Sequence, residues 1–145
     1  MKFKNQTSAG GIVFKKEGEK LLWLITQHSQ HKGWTFPKGL VGDKDKDEAH
    51  ETAALREVQE EGGITAKIVN EEPVTVQYVF KFEGVLVKKT VHYFLMEYIS
   101  GDPKDHDWEV SEAKFMTEEQ IKKTLTFKSD KEAFEKILEK FKKGI

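Results

Sequence analysis

The chain has 145 residues, with 24 Lys and Arg against 25 Asp and Glu and a formal net charge of -1. That length suits one domain, 1–145, with a core of its own, and the balanced charge excludes the strong basic excess of a protein that coats nucleic acid. No cysteine is present, which removes disulfides, thiolate zinc sites and cysteine nucleophiles. Met1-Lys2-Phe3-Lys4-Asn5-Gln6 carries no apolar stretch behind its charges, so a signal peptide is not expected. No run approaches the roughly 20 apolar residues that cross a membrane. The expectation is a soluble cytoplasmic protein.

In chain order, Ser8 to Phe14 is small, β-branched and apolar and reads as a strand. Leu21 to Thr26 is a short continuous apolar run, which at that length suits a buried strand. The charged stretch Lys15 to Lys20, with Gly18 inside it, joins the two as a hairpin. His28 to Gly42 reads as a loop, anchored by Trp34, Phe36 and Pro37. Glu48 to Glu61 is the clearest helix, rich in Ala, Glu, Leu and Arg, with Asp45 or Asp47 as cap and Gly62-Gly63 as stop. Val74 to Phe82 and Val87 to Tyr98 form a second hairpin around Glu83-Gly84. Thr117 to Thr124 reads as a short helix, opened by a Thr117/Gln120 capping box. A last helix starts at Ser129, where Ala133, Phe134, Ile137, Leu138 and Phe141 recur at helical spacing and make a docking stripe. Strands, a helix, strands and then helices imply an α/β fold with a mixed sheet carrying helices.

Within the first helix, Glu57, Glu60 and Glu61 stand at i, i+3 and i+4 and so share one face. Three like charges together need either full solvation or a cation, and hard divalent ions such as magnesium take carboxylate oxygen. Arg56, four residues before Glu60, is placed to hold a carboxylate. Ala53, one turn before Glu57, leaves room for a ligand. Spacing alone fits a solvated helix face as well as a metal face.

The context decides between them. Gly42 stands six residues before Glu48, Glu48 stands eight before Arg56, and Arg56-Glu57-Val58-Gln59-Glu60-Glu61-Gly62-Gly63-Ile64 follows. This resembles the Nudix box, G-x5-E-x7-R-E-U-x-E-E-x-G-U with U aliphatic, at every fixed position. Trp34-Thr35-Phe36-Pro37-Lys38-Gly39 likewise resembles the family's turn ahead of the box. One departure stands out: in most members the glycine of that turn is the first glycine of the box, whereas here Gly39 lies nine residues before Glu48. The loop is three residues longer, with Lys44 and Lys46 among the additions. Gly42 satisfies the literal pattern, while Gly39 has the usual neighbours and is assigned the metal-facing carbonyl.

The resemblance implies an α/β/α sandwich and hydrolysis of a nucleoside diphosphate linked to another group, by attack of water on phosphorus. It implies Mg2+, or Mn2+, held by Gly39, Glu57, Glu60 and Glu61, with Glu61 central. Arg56 would orient the glutamates, Glu48 would support the loop–helix junction, and Gly63 would close the box. The base would be Glu57 or a glutamate outside the box, with Glu109 the first candidate and Glu112 the next.

Substrate signals are softer. In Lys88-Lys89-Thr90-Val91-His92-Tyr93-Phe94-Leu95, His92 and Phe94 share one face of a strand and Val91, Tyr93 and Leu95 the other. The pattern, with Leu125-Thr126-Phe127 further on, resembles Nudix hydrolases of diadenosine polyphosphates. That group implies phosphate binding by Lys38 and substrate contacts from His92 and Tyr93. His92 also fits a half-buried sheet histidine, and His28 and His31 are loop residues within reach of phosphates. A nucleotide or dinucleoside polyphosphate is thus the expected partner, to a monomer or homodimer. The alternatives are a pyrophosphohydrolase of oxidised nucleoside triphosphates or of RNA 5′ ends, the RNA disfavoured by the near-neutral charge, and a non-catalytic nucleotide-binding module. All box glutamates are present, which favours catalysis over mere binding.

Overall fold

The computed structural model describes residues 2–42 and 46–144. Eight strands form one mixed sheet. Its central path runs β3 (Trp34–Thr35), β2 (Lys20–His28), β1 (Phe3–Glu17), β7 (Val85–Gly101) and β5 (Ile64–Ile68). β4 (Lys38–Leu40) adds to β1, β6 (Val74–Phe82) to β7, and β8 (Val110–Thr117) to β2. Among the described residues only β1 and β7 pair in parallel, in register from Phe3↔Leu86 to Phe14↔Glu97. Both hairpins form where the turn residues predict them, with Gly18 at φ 63 in the first and Glu83 and Gly84 at φ 50 and 76 in the second.

Alternation along β1 and β7 sends successive side chains to opposite faces, and each face carries a helix. On one side α1 (His50–Gly62) lays Ala53, Ala54 and Val58 on Ala9, Val13, Leu24, Ile64, Phe94 and Met96. On the other, α3 (Lys128–Lys142) docks Ala133, Phe134, Ile137 and Leu138 on Ile12, Phe14, Trp23, Val91, Tyr93 and Leu95. Aromatic edges knit this second layer, with Trp23 5.3 Å from Phe134 at 84° and Phe14 4.9 Å from Phe141. α2 (Glu118–Thr124) begins with the expected reciprocal box, Thr117 Oγ1 accepting from the Gln120 amide and Gln120 Oε1 from the Thr117 amide. The result is the expected α/β/α sandwich.

Three expectations are corrected. α1 starts at His50, not Glu48, with Ala49 at the cap position and no side-chain cap bond. The reason is that Glu48 is spent elsewhere, accepting from the Gly42 amide and from Arg56. Of the proposed caps and loop cations, Asp45 and Lys44 lie outside the described residues, while Lys46 is exposed. α3 starts at Lys128 rather than Ser129, again without a side-chain cap. Finally, the loop from His28 to Gly42 contains β3 and β4, and β5 follows directly on α1; short strands of two to five residues are too brief to show a period.

Among the described residues, no helix is long and apolar enough to cross a membrane.

Candidate active site

The site grows from the junction of α1 with β4. Arg56 is its organiser. Its Nε and Nη2 donate to the two oxygens of Glu48 at 2.9 and 3.0 Å, and its Nη1 donates to Glu57 Oε2 at 2.8 Å. Nη1 also stands 3.5 Å from Glu60 Oε1. The forked guanidinium suits this work because it meets a carboxylate along two parallel bonds. Glu48 in turn receives the Gly42 amide at 3.1 Å, so helix and preceding loop are tied by one carboxylate. These bonds hold the Glu48 carboxyl below its usual pKa range, the Arg56 hydrogen bonds contributing most.

Glu57 and Glu61 line a cleft. Glu57 is only 5% exposed, and burial pushes its pKa up to about 7 against the pull of Arg56. Burial likewise pushes Glu61 up to about 8, although Lys38 opposes it. The Lys38 amide donates to Glu61 Oε1 at 3.2 Å, which binds β4 to the helix. Next to it, Gly39 faces the Glu57 carboxylate so closely that a Cβ would overlap it; only glycine leaves that carboxylate room. Gly42, at φ 82, belongs to the Glu48 latch and does not line the cleft. Gly63 closes the helix in the left-handed region at φ 73, its amide returning to the Gln59 carbonyl at 3.1 Å.

The cleft, of about 340 Å³, gathers Glu57, Glu60, Glu61, Lys38 and Gly39 with Glu109, His28, His31, Tyr78 and Lys89. Glu109 sits immediately before β8, near enough for its charge to bear on Glu57. Glu112 does not join it. That side chain lies along β8, 3.1 Å from Lys114.

Two predicted substrate contacts are not found there. Tyr93 is wholly buried and donates to Asp130 Oδ1 at 2.7 Å, so it is a core residue, as its face of β7 requires. His92 lies on the opposite face, stacked 4.6 Å from His50 at the start of α1 and 2.8 Å from Thr75 Oγ1, outside the cleft. Lys89 was missed. It shares the face of Val91 and Tyr93, and a lysine in an otherwise buried period-2 row is the signal that marks it. Burial pushes its pKa down, with Lys38 adding to the shift. His28 and His31 stack at 4.0 Å. Backbone amides donate to the Nδ1 atoms of both, so in the neutral rings the proton sits on Nε2.

The oxygen donors of this cleft suit a hard divalent cation. Buried Glu57 and half-buried Glu61, and the glycine cradle against the first of them, fit such an ion. As the side chains stand, however, no three His, Asp or Glu groups among the described residues form a ready cluster. Glu57 is drawn to Arg56 and Glu61 to the Lys38 amide.

A second, more apolar groove of about 840 Å³ adjoins the cleft, sharing His31, Lys38 and Tyr78 with it. Phe80 of β6, and Phe127 and Asp130 at the start of α3, line it further out.

Comparison with known proteins agrees with this geometry. The sequence profile of the NUDIX domain matches residues 4–137, and the chain belongs to the Nudix family. It is 29% identical over 137 residues to a mutator-type protein designated MutT4 from Mycobacterium tuberculosis, covering 90% of this chain and 54% of that one. The chain thus spans about half the length of that curated relative. Among solved structures, a Caenorhabditis elegans Ap4A hydrolase in a binary complex superposes with a TM-score of 0.74 at 25% identity, covering 97% of this chain and 99% of that one. The NUDIX domain of Shewanella oneidensis NrtR, complexed with ADP ribose, superposes with a TM-score of 0.66 at 18% identity over 96% and 88% of the two chains. At that identity the last likeness concerns the fold alone.

Proposed function

We propose that the chain is a divalent-metal-dependent hydrolase of phosphoanhydride bonds in nucleoside diphosphate-linked substrates, with dinucleoside polyphosphates the preferred class. One observation carries the reading: a cluster of glutamates and two lysines line one cleft that adjoins an aromatic groove. Phosphate chains need cations, and bases need apolar, stackable walls. Lys38 and Lys89 supply the first. Tyr78, Phe80 and Phe127 supply the second. The groove is large enough for a nucleoside moiety beside the phosphate cleft, and the likeness to an Ap4A hydrolase supports a substrate with nucleosides on a polyphosphate bridge.

Glu57, Glu60 and Glu61, with the Gly39 carbonyl, are the groups that would hold magnesium, or manganese. An ion held by them would supply neutralisation of phosphate charge and a more acidic water. The protein's own part is orientation and proton transfer. Arg56 fixes Glu57 and Glu48 in one network, and Lys38 and Lys89 steady the negative charge that develops on the phosphoryl oxygens. The proton of the attacking water passes to Glu57 or Glu109. Glu57 suits the role by its place among the cleft carboxylates. Glu109 suits the role by position.

A second reading, hydrolysis of nucleoside triphosphates, fits the same cleft of carboxylates and lysines. Incubation of the protein and magnesium or manganese with dinucleoside polyphosphates, nucleoside triphosphates and 5′-triphosphorylated RNA distinguishes them by product. The expected result is mononucleotides from the dinucleoside substrates at the highest kcat/KM. Nucleotide binding without turnover on the whole panel would replace the hydrolase by a binding module.

A further inference from the structure

The groove and the cleft are joined by a chain of hydrogen bonds that starts part-buried at Lys38 and ends buried at Asp130. Lys38 Nζ donates to Thr35 Oγ1 at 3.0 Å, and Thr35 Oγ1 donates to Asp130 Oδ2 at 2.6 Å. The direction is forced. An ammonium only donates and an ionised carboxylate only accepts, so the hydroxyl between them must accept from one and donate to the other. Tyr93 donates to the second Asp130 oxygen at 2.7 Å. Asp130 and Thr35 are 4% and 6% exposed. The carboxylate lies in the first turn of α3, where the helix dipole favours negative charge.

A buried carboxylate is costly unless its partners are well made, and this one takes a place in the apolar stripe of α3 where a hydrophobic residue would pack. We infer that Thr35 and Asp130 are positioning residues, which hold the Lys38 ammonium for the substrate's phosphate chain. The reading rests on the phosphate-binding role of Lys38 proposed above. The alternative posture of Lys38 explains the need. Glu61 already engages the Lys38 amide, and an untethered ammonium on the same residue would fold onto Glu61 or Glu57 and compete for the carboxylates that a metal needs. The Thr35 hydroxyl draws it the other way. A flexible lysine otherwise loses considerable rotamer freedom when substrate binds; the relay removes that loss beforehand. Because Asp130 also lines the aromatic groove, the element that would carry the base is the one that sets the cation.

The test uses the full chain with Thr35→Val, which is nearly isosteric and keeps the strand, Thr35→Ser, which restores the hydroxyl, and Asp130→Asn. Without substrate or metal, 13C relaxation of the Lys38 side chain is expected to report an ordered Cε in the wild type and in Thr35→Ser. It should report the disorder of a surface lysine in Thr35→Val and Asp130→Asn. In turnover, Thr35→Val should raise KM about tenfold with kcat far less changed. The double variant Thr35→Val/Lys38→Ala should be no worse than Lys38→Ala alone, since both remove one interaction. An unchanged Lys38 order parameter in Thr35→Val, or additive effects in the double variant, would overturn the positioning role. If Lys38→Ala leaves KM unaltered, the phosphate contact is what fails, and the relaxation result decides the tether by itself.

Discussion

At the scale of single residues, the two cleft glutamates differ from ordinary surface carboxylates because burial, rather than a like-charge neighbour, dominates their environment. Glu61→Gln keeps shape and most packing while removing the charge. It is expected to lower kcat by about 100-fold or more while circular dichroism and Tm stay near wild type. Near-normal turnover by that variant would remove Glu61 from the reaction. The same burial sets a pH dependence of stability. Glu57 and Glu61 have pKa values of about 7 and about 8 in the folded chain against an ordinary 4.5, so the folded state binds more protons than the unfolded one throughout that interval. Stability is therefore full below about pH 4.5 for these groups and is lost as pH rises through about 7 to 8. Glu48, whose pKa is lowered, acts in the opposite sense only at more acid pH. Tm without metal is expected to fall between about pH 5 and about pH 9, and magnesium to restore it most at the alkaline end, where the carboxylates are free to bind. A metal-free Tm that is flat or rising over that range would contradict the burial of these charges.

At the scale of elements, two glycines serve α1 in different ways. Gly63 has φ 73, and a Cβ there would meet the Asp102 carbonyl, 2.7 Å away, and the His106 amide at 2.8 Å. Gly63→Ala should therefore cost more than the ~1 kcal/mol of an ordinary left-handed glycine replaced by alanine, measurable by urea unfolding. A loss below about 0.5 kcal/mol would mean that the helix stop tolerates a side chain. Gly39→Ala is a different case. Its methyl would displace the Glu57 carboxylate, so the variant should stay folded yet bind manganese much more weakly by titration calorimetry. Undiminished binding would show that Glu57 reaches the ion by another route. The hairpin of β6 and β7 and the capping box of α2 follow from local chemistry, because Glu83-Gly84 and Thr117 with Gln120 act within a few residues. The starts of α1 and α3 do not. Glu48 looks like a first-turn residue but is recruited by Arg56 and Gly42, and α3 begins one residue ahead of Ser129, at Lys128.

At the scale of the whole molecule, the sheet brings to one cleft residues that the chain keeps far apart: Lys38 on β4, Glu57 and Glu61 on α1, Lys89 on β7 and Glu109 ahead of β8. The parallel pairing of β1 with β7 is central to this, since it fixes where Lys89 stands relative to β4 on the other side of β1. The aromatic layer beneath α3 supports the groove. Phe134, 1% exposed and packed on Trp23 and Phe36, is expected to cost about 3–5 kcal/mol on replacement by alanine, seen as a lower midpoint in chemical denaturation. A loss under about 1 kcal/mol would mean that the α3 layer is loosely packed.

By itself, the sequence determined the glutamate helix, its Arg56 partner, the Glu48 spacing and the two hairpins, because each is encoded by residues within a turn or two of one another. It also determined the family, since the box is a contiguous pattern. Only the tertiary structure decided which residues share the cleft. Tyr93 and His92 sit on a strand whose two faces are both covered, one by α3 and one by the start of α1, and which face meets a ligand depends on the layers above it. Lys89 was equally visible as a residue and equally mute as a partner, until β7 was seated beside β1. The same holds for Asp130, whose meaning lies in Thr35 and Tyr93, 95 and 37 residues away along the chain. Gly39 lies against the Glu57 carboxylate and the Gly42 amide donates to Glu48, contacts that spacing along the chain does not reveal.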